Sequence, residues 1–163
     1  MLKKILFLTG FITFLSFNSL AQDSDLLTWL KSVSNIEIAP IKSDNNFSEA
    51  YEIFVTQPID HSNPDGPKFK QQIFLSHIDK DKPMVIDLDG YAVNNRTTEL
   101  SRILGCNQIM VEHRYFGESV PSPFDWKYLT IKQAADDHHR ITELFKDYYS
   151  GKWVSTGISK GGS

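Results

Sequence analysis

The chain has 163 residues, 40% of them hydrophobic and 23% charged, and a formal net charge of −3 at pH 7. This composition is that of an ordinary globular protein, and the length suits one domain at most. It contains no basic patch of the kind that binds nucleic acid. The single cysteine, Cys106, has no partner for an internal disulfide, and its place before an apolar segment predicts a buried side chain.

Residues 1–21 have the pattern of a secretion signal. Two lysines precede an almost unbroken apolar segment, 5–17, and small residues up to Ala21 provide a cleavage site. The apolar segment is shorter than the roughly 20 residues that a membrane-spanning helix needs. We therefore predict a mature chain that begins at Gln22, is secreted or periplasmic, and has no stable membrane anchor.

The next part of the chain predicts an extension and then a hairpin. Residues 22–46 are expected to form an N-terminal extension, a short amphipathic helix followed by polar, irregular chain. Segments 47–58 and 69–78 each alternate apolar and polar residues, and the residues between them are rich in turn formers. This pattern predicts an antiparallel pair of strands. His61 and His77 are interpreted as turn or surface residues.

The second half of the chain alternates strands with helices. Continuous apolar strands are predicted at 83–91 and 107–112, with a helix at 96–104 between them. A longer helix follows, with a capping box at 130–133 and Gly151 as its C-terminal cap. Its predicted apolar stripe consists of Ile131, Ala134, Ala135, His138, Ile141, Phe145 and Tyr148. Continuous apolar strands joined by helices are typical of a parallel sheet.

The most informative stretch comes last. A short strand from Lys152 leads directly into Gly157-Ile158-Ser159-Lys160-Gly161, which has the form Gly-x-Ser-x-Gly. In such an elbow the serine stands in strained backbone at the end of a strand, and side chains at the flanking glycines would collide with the neighbouring strand and helix. The pattern predicts Ser159 as a catalytic nucleophile.

The order of elements predicts the N-terminal part of an α/β-hydrolase fold, an antiparallel hairpin leading into a parallel sheet with crossover helices. Residues 47–163 would be the first, incomplete part of a catalytic domain, truncated after the nucleophile elbow. In this fold the acid and the histidine follow the serine in the chain. We therefore expect the triad Asp and His to lie outside this sequence, and the fragment alone to be inactive although its parent is an enzyme.

Two backbone segments are expected to form the oxyanion hole. One N–H belongs to Lys160, the residue after the nucleophile, and the other belongs to the loop after the strand at 83–91. Gly90 and Tyr91 occupy that loop. A glycine at this place lets the backbone approach the substrate closely.

A self-contained enzyme is the rival interpretation. It would use Asp87 or Asp89 with His113 as acid and base ahead of the serine. That order requires the elbow strand to be the end of a complete fold, with an apolar strand left at an open edge, which argues against it.

Two further motifs are explained without a ligand. A phosphate-binding loop needs Gly-Lys-Ser/Thr at its end, whereas here Ser159-Lys160 precedes two glycines. The run 136–139, Asp-Asp-His-His, lacks the spacing of metal ligands on a helix. It is better explained by one inward histidine and a surface ion pair such as Asp136 with Arg140, so neither a metal nor another cofactor is expected.

Three segments carry a resemblance to a known family. They are Glu112-His113-Arg114-Tyr115-Phe116-Gly117-Glu118-Ser119, residues 129–138 and residues 151–162. Together they resemble the secreted bacterial tripeptidyl aminopeptidase family of serine peptidases, and the first segment is also similar to the prolyl carboxypeptidase and dipeptidyl peptidase group. The resemblance runs from about Tyr51 to the end of the sequence. It implies an α/β-hydrolase with a helical cap inserted after the elbow.

The resemblance also implies an activity, namely the release of short peptides (tripeptides) from polypeptide N-termini through an acyl-enzyme. Glu112 and Glu118 are candidates for holding the charged amino terminus of the substrate, or for shaping the rim of the site. Arg114 is expected to pair with a carboxylate beneath the site. The expected partners are peptide substrates.

Two alternatives stay open at this stage. One is a secreted esterase or lipase of the same fold, because a fold does not fix a function. The other is an inactive truncated product. The sequence determines neither the preferred residue at the cleaved bond nor the oligomeric state.

Overall fold

The structure, a computed structural model, describes residues 22–162, so the predicted secretion signal lies outside the described residues. Its strands are β1 (Ile36–Pro40), β2 (Glu49–Pro58), β3 (Lys68–His77), β4 (Met84–Leu88), β5 (Asn107–Val111) and β6 (Trp153–Gly157). Its helices are α1 (Asp25–Ser32), α2 (Glu99–Leu104) and α3 (Ile131–Lys146), with 3-10 turns at Trp126–Tyr128 and Ser159–Gly162. None of the helices described in 22–162 has the length and apolar content to cross a membrane.

The strands form one sheet in the order β1-β2-β3-β5-β4-β6. The pairs β1–β2, β2–β3 and β3–β5 are antiparallel, whereas β4 pairs parallel with both β5 and β6. Strands β4 and β5 are buried along almost their whole length, as continuous apolar strands in a covered parallel sheet should be. A hairpin that leads into a parallel sheet confirms the predicted fold class.

One face of the sheet carries the main hydrophobic core. Helices α1 and α3 lie against it and contribute Leu26, Leu30, Ile141 and Phe145. The strands contribute inward residues at period two, such as Tyr51, Ile53 and Val55 from β2. A smaller cluster of Phe74, Val93 and Met110 lies on the opposite face, because Phe74 and Met110 alternate with core residues along β3 and β5. The free Cys106 is buried, as predicted.

The polar segment predicted to be irregular contains β1. Ile36 and Ile38 are half-buried and alternate with exposed Glu37 and Ala39, which is the pattern of an edge strand. β1 pairs antiparallel with β2. The expected N-terminal extension therefore adds a helix and a strand to the sheet, and the elbow follows the sixth strand instead of the fifth.

The two crossover helices are shorter than predicted. α2 begins at Glu99, because the hydroxyl of Thr98 accepts from Ser101 N and caps the helix there, and it ends at Gly105 with a φ of 56°. α3 ends at Lys146, so Gly151 is not its cap. A Cβ at Gly151 would lie 2.7 Å from the Lys82 carbonyl oxygen, and close packing of that turn explains the glycine.

The N-terminus of α3 has one of the two hydrogen bonds of the predicted capping box. Thr130 is the N-cap, and its hydroxyl accepts from Gln133 N at 3.2 Å. The Gln133 side chain does not return the bond to Thr130. Its oxygen accepts from His61 N, and its nitrogen donates to Asp60. Gln133 thus ties α3 to the turn between β2 and β3.

The buried face of α3 includes three residues of the predicted stripe, but it differs from that stripe at Asp137 and Ile131. The helix buries Ala134, Asp137, Ile141 and Phe145, whereas Ile131 is 68% exposed. An aspartate faces inward because it has a cationic partner beneath the helix, described below. The face of α3 that packs against the sheet therefore includes a polar residue and is shifted around the helix from the predicted apolar stripe.

Candidate active site

Ser159 lies at a sharp turn between β6 and the 3-10 turn that follows it. Its φ is 57°, in the left-handed region that costs a residue with a side chain about 1–2 kcal/mol. The turn is held from both sides: Ile158 N donates to Leu88 O at 3.2 Å, and Gly161 N donates to Ile158 O at 3.0 Å. A strained serine at the end of a parallel strand is the geometry of a nucleophile elbow.

Glycines make that turn possible by removing side chains. A Cβ at Gly157 would overlap the carbonyl oxygen of Gly161, and a Cβ at Gly161 would overlap the carbonyl oxygen of Leu88. Both obstacles are backbone atoms, which cannot move aside as a flexible side chain would. The Gly-x-Ser-x-Gly spacing is therefore a steric requirement of this turn.

The loop after β4 lies directly against the elbow. A Cβ at Gly90 would lie 2.8 Å from both Ile158 O and Lys160 N. The backbone N–H groups of Gly90, Tyr91 and Lys160 donate no hydrogen bond to any of residues 22–162. Free backbone donors on two segments beside a serine are the components that an oxyanion hole needs.

Lys160 also joins an aromatic cluster beside the serine. Its Nζ lies 3.9 Å from the centroid of the Tyr91 ring and 5.2 Å from that of Phe116, and the two rings meet edge to face. Lys160, followed by Ser159, lowers the pKa of the Tyr91 phenol through hydrogen bonding. The Lys160 ammonium is thus held by aromatic faces next to Ser159.

The self-contained triad is wrong. His113 uses Nδ1 to donate to Arg114 O at 2.8 Å, and burial lowers the pKa of its imidazole. Asp87 and Asp89 instead accept from Arg96, at 3.2 and 3.0 Å. In the part of the chain that the structure covers, no histidine hydrogen-bonds Ser159 and no aspartate orients His113 as a base.

The Glu112 carboxylate is enclosed by its own loop. It accepts from Val93 N at 3.1 Å, and from the N–H of Glu118 and the N–H and hydroxyl of Ser119 at 2.7–2.9 Å. Gly117 has a φ of 49°, and a Cβ there would overlap this carboxylate. Glu112 is 1% exposed, so the role as holder of a substrate amine is wrong for it. It organises the loop, while the Glu118 side chain is exposed.

Arg114 pairs with a carboxylate beneath the site, that of Asp137. Its Nε and Nη2 donate to the two carboxylate oxygens at 2.7 and 2.8 Å, and both side chains are fully buried. The remaining guanidinium donors bind backbone carbonyls of Pro58, Ile59 and Tyr128. All five donors of the guanidinium are satisfied, which is the condition under which a buried ion pair is tolerated.

The two histidines interpreted as turn or surface residues have buried side chains, and His61 lies in the turn after β2. His61 places Nε2 2.7 Å from Asp137 Oδ1, with its side chain 8% exposed. His77 contacts the Tyr149 hydroxyl through Nδ1 at 2.9 Å. Neither partnership has a local sequence signal, because 76 and 72 residues separate the partners.

The expected surface pair on α3 has other partners. Asp136 pairs with Lys132 at 2.6 Å, one turn earlier, and Arg140 donates to the Gln57 side chain at 3.0 Å. His138 faces inward, and its Nε2 is buried without a hydrogen bond to residues 22–162. Over the same residues no cluster of three or more histidine, cysteine or acidic side chains is arranged to hold a metal ion.

The sheet order, the strained serine and the glycine-dependent turn define an α/β-hydrolase with a nucleophile elbow. Solved structures of the same fold agree. The chain is similar to acetyl xylan esterase 1 from Thermoanaerobacterium sp. JW/SL YS485, with a TM-score of 0.52 and 15% identity over 80% of this chain and 47% of that one. It is also similar to an acetyl xylan esterase from Paenibacillus sp. R4, with a TM-score of 0.53 and 14% identity over 81% and 48%.

Within that class, the chain belongs to the PS-10 peptidase S37 family, whose model matches residues 21–163. It is 44% identical over 108 residues to a prolyl tri/tetrapeptidyl aminopeptidase of Streptomyces mobaraensis, covering 65% of this chain and 23% of that protein. It is 27% identical to the probable serine protease EDA2 of Arabidopsis thaliana, over 94% of this chain and 33% of that protein. The chain thus spans between about a quarter and a third of these relatives.

The close approach of Gly90 generates a prediction for the complete protein. Gly90→Val places carbon against the elbow backbone and displaces one oxyanion donor, so we expect turnover to fall by about 100 to 1,000-fold. Steady-state kinetics and denaturant unfolding measure turnover and stability separately.

Gly105→Ala is the matched control. Gly105 also has a positive φ, but a Cβ there would meet nothing within 4 Å. The control should lose about 1 kcal/mol of stability from left-handed strain and keep its turnover. Normal turnover in Gly90→Val would remove the loop after β4 from the site.

The inward His138 generates a second prediction. Burial, followed by smaller effects of neighbouring charges, lowers its pKa from 6.5 to about 4. The unfolded state then binds more protons below pH 6.5, so the free energy of unfolding falls as the pH drops from about 6.5 to 4. Between pH 7 and pH 5, the free energy of unfolding of His138→Leu should fall by about 2 kcal/mol less than that of the original protein. His139→Leu, an exposed neighbour, is the control and should keep the original slope.

Proposed function

We propose that the protein is a secreted serine peptidase that releases short peptides from polypeptide N-termini through an acyl-enzyme on Ser159. The observation that carries this proposal is the left-handed Ser159, beside free backbone N–H groups on two segments. Membership of a peptidase family supports peptide bonds as the target. The printed name of the 44% identical relative, a tri/tetrapeptidyl aminopeptidase, supports exopeptidase action. The signal pattern of residues 1–21 supports secretion.

The proposed chemistry starts at the hydroxyl of Ser159. Its Oγ attacks the scissile carbonyl, and the carbonyl oxygen becomes an oxyanion. The N–H of Lys160 and an N–H of Gly90 or Tyr91 donate to that oxyanion and stabilise the charge as it develops. A histidine takes the proton of the Ser159 hydroxyl and gives it to the leaving peptide amine as the C–N bond breaks. Water, losing a proton to the same histidine, then attacks the acyl-enzyme, which releases the acyl group and restores the Ser159 hydroxyl.

The acid and the histidine are proposed to follow Ser159 in the complete protein. Support comes from the chain order of this fold, in which serine precedes both partners. It also comes from the histidines of residues 22–162, none of which hydrogen-bonds Ser159. Ser159 alone is a weak nucleophile, because an alcohol needs a base to take its proton.

The substrate amino terminus is proposed to meet the exposed Glu118 at the rim. Glu118 is positioned by its own N–H, which donates to the buried Glu112 carboxylate at 2.9 Å. Its side chain is exposed, so the carboxylate is free to face an ammonium group. The esterase alternative has support only from the solved esterases, and at 14–15% identity that likeness concerns the fold alone.

The nucleophile assignment is tested in the protein expressed from its complete gene. Ser159→Ala should abolish hydrolysis of tripeptide anilides and labelling by a fluorophosphonate probe, because the attacking oxygen is gone. Ser155→Ala, an exposed serine of β6, is the matched control and should keep both activities. Peptidase activity that survives Ser159→Ala would contradict the assignment. Hydrolysis of acyl esters without hydrolysis of peptides would favour the esterase.

A further inference from the structure

The loop after β4, which carries the candidate oxyanion donors, is fastened to β5 at both of its ends. At its start, Asp89 N donates to Val111 O at 3.1 Å. At its end, the Gln108 side chain accepts from Thr98 N at 2.8 Å and donates to Arg96 O at 2.6 Å. The donors therefore lie on a segment whose two ends are fixed and whose middle can still move.

The Arg96 side chain joins the two ends of this loop. Its Nη1 donates to Asp89 Oδ2 at 3.0 Å, and its Nη2 donates to Asp87 Oδ2 at 3.2 Å. Asp87 belongs to β4, and its side chain is 6% exposed, whereas that of Asp89 is 17% exposed. One guanidinium thus bridges the strand, the first residue of the loop and a residue near the end of the loop. The planar fork of an arginine can hold two carboxylates in fixed directions, which a lysine ammonium cannot do as well.

The two carboxylates need a cation between them. Both lie against the same guanidinium and are largely shielded from water, so their mutual repulsion is only partly screened. Burial raises the pKa of the Asp87 carboxyl, and the Arg96 charge opposes that rise, while Asp89 adds to it. Loss of the cation would push the carboxylates apart. Asp89 is the one that can move, because Asp87 is fixed in β4 between two paired strands.

Movement of Asp89 would turn the N–H of Gly90. The peptide unit that joins these residues is planar, so the direction of the N–H follows the backbone of Asp89. The space for movement is small, because a Cβ at Gly90 would lie 2.8 Å from both Ile158 O and Lys160 N. An oxyanion donor acts over about 2.7–3.1 Å, and an error of about 1 Å in position can cost about 100-fold in rate.

We propose that Arg96 is a positioning residue for the oxyanion hole: by holding Asp87 and Asp89 together, it keeps the N–H of Gly90 directed at the oxygen that forms beside Ser159. The inference rests on the proposed function. Arg96 acts through Asp89 and is not itself a catalytic residue. The two aspartates that sequence reasoning considered as a catalytic acid are instead the anchors of this arginine.

The test uses the protein expressed from its complete gene. Arg96→Met removes the charge and leaves a side chain of similar reach. We expect kcat on tripeptide anilides to fall by at least about tenfold while KM changes by less than about threefold, because an oxyanion contact is stronger in the transition state than in the bound substrate. A smaller fall in kcat, or a larger change in KM, would overturn the assignment.

Arg102→Met is the matched control, since Arg102 is an exposed arginine of α2. It should keep the kcat and KM of the original protein. If Arg96→Met does not fold, Arg96→Lys carries the test. It retains a positive charge but cannot hold both carboxylates from one planar fork, so kcat should fall about threefold at unchanged KM. A kcat equal to that of the original protein would then overturn the assignment.

Labelling by a fluorophosphonate separates this inference from the proposed function and from a loss of folded protein. Phosphonylation of Ser159 also places an oxygen in the oxyanion hole, whether or not the protein cleaves peptides. Arg96→Met should lower the rate constant of labelling about tenfold and leave the final extent of labelling unchanged. An unchanged rate constant, or a fall in the extent alone, would overturn the positioning role. A protein that cleaves no peptide but shows the slower labelling would overturn the proposed function alone.

Discussion

The left-handed backbone of Ser159 is the constraint on which the rest of the site depends. A φ of 57° is unfavourable for serine, and it persists because the surroundings leave no alternative. β6 is paired with β4, Ile158 is hydrogen-bonded to Leu88, and Gly161 packs on the Leu88 carbonyl. The same contacts bring Gly90 against Lys160 N, so the strain and the expected oxyanion hole have one structural cause.

A buried polar framework holds the loop after β5 behind this turn. Glu112 accepts hydrogen bonds from Val93 N of the loop after β4 and from Ser119 N at the end of its own loop, and Arg114 links β5 to α3 through Asp137. Groups of this kind are costly when unpaired and rigid when fully paired. Their pairing fixes His113 and Phe116, which in turn contact Tyr91 and the Lys160 side chain.

How much the sequence predicted depends on whether each signal was local. The elbow and the strands β4 and β5 were predicted correctly, because a steric motif and a continuous apolar run are both visible within a few residues. The predicted stripe of α3 was right at Ala134, Ile141 and Phe145. It did not include Asp137, which faces inward through its pairing with Arg114, 23 residues away. His61 lies in a turn, as one of its two interpretations had it, but its contact with Asp137 was not predicted because 76 residues separate the two. β1 was missed because its alternation rests on only two apolar residues. For Glu112 both the substrate role and the rim role stayed open, because one of its donors, Val93 N, belongs to another loop.

The central claim is that Ser159 attacks while the N–H groups of Lys160 and the loop after β4 hold the oxygen. A crystal structure of the complete protein after reaction with a fluorophosphonate tests it most directly. The account predicts phosphorus bonded to Ser159 Oγ, with the phosphonyl oxygen about 2.7–3.1 Å from Lys160 N and from Gly90 N or Tyr91 N. Phosphorus on another residue, or a phosphonyl oxygen that contacts neither backbone segment, would contradict it.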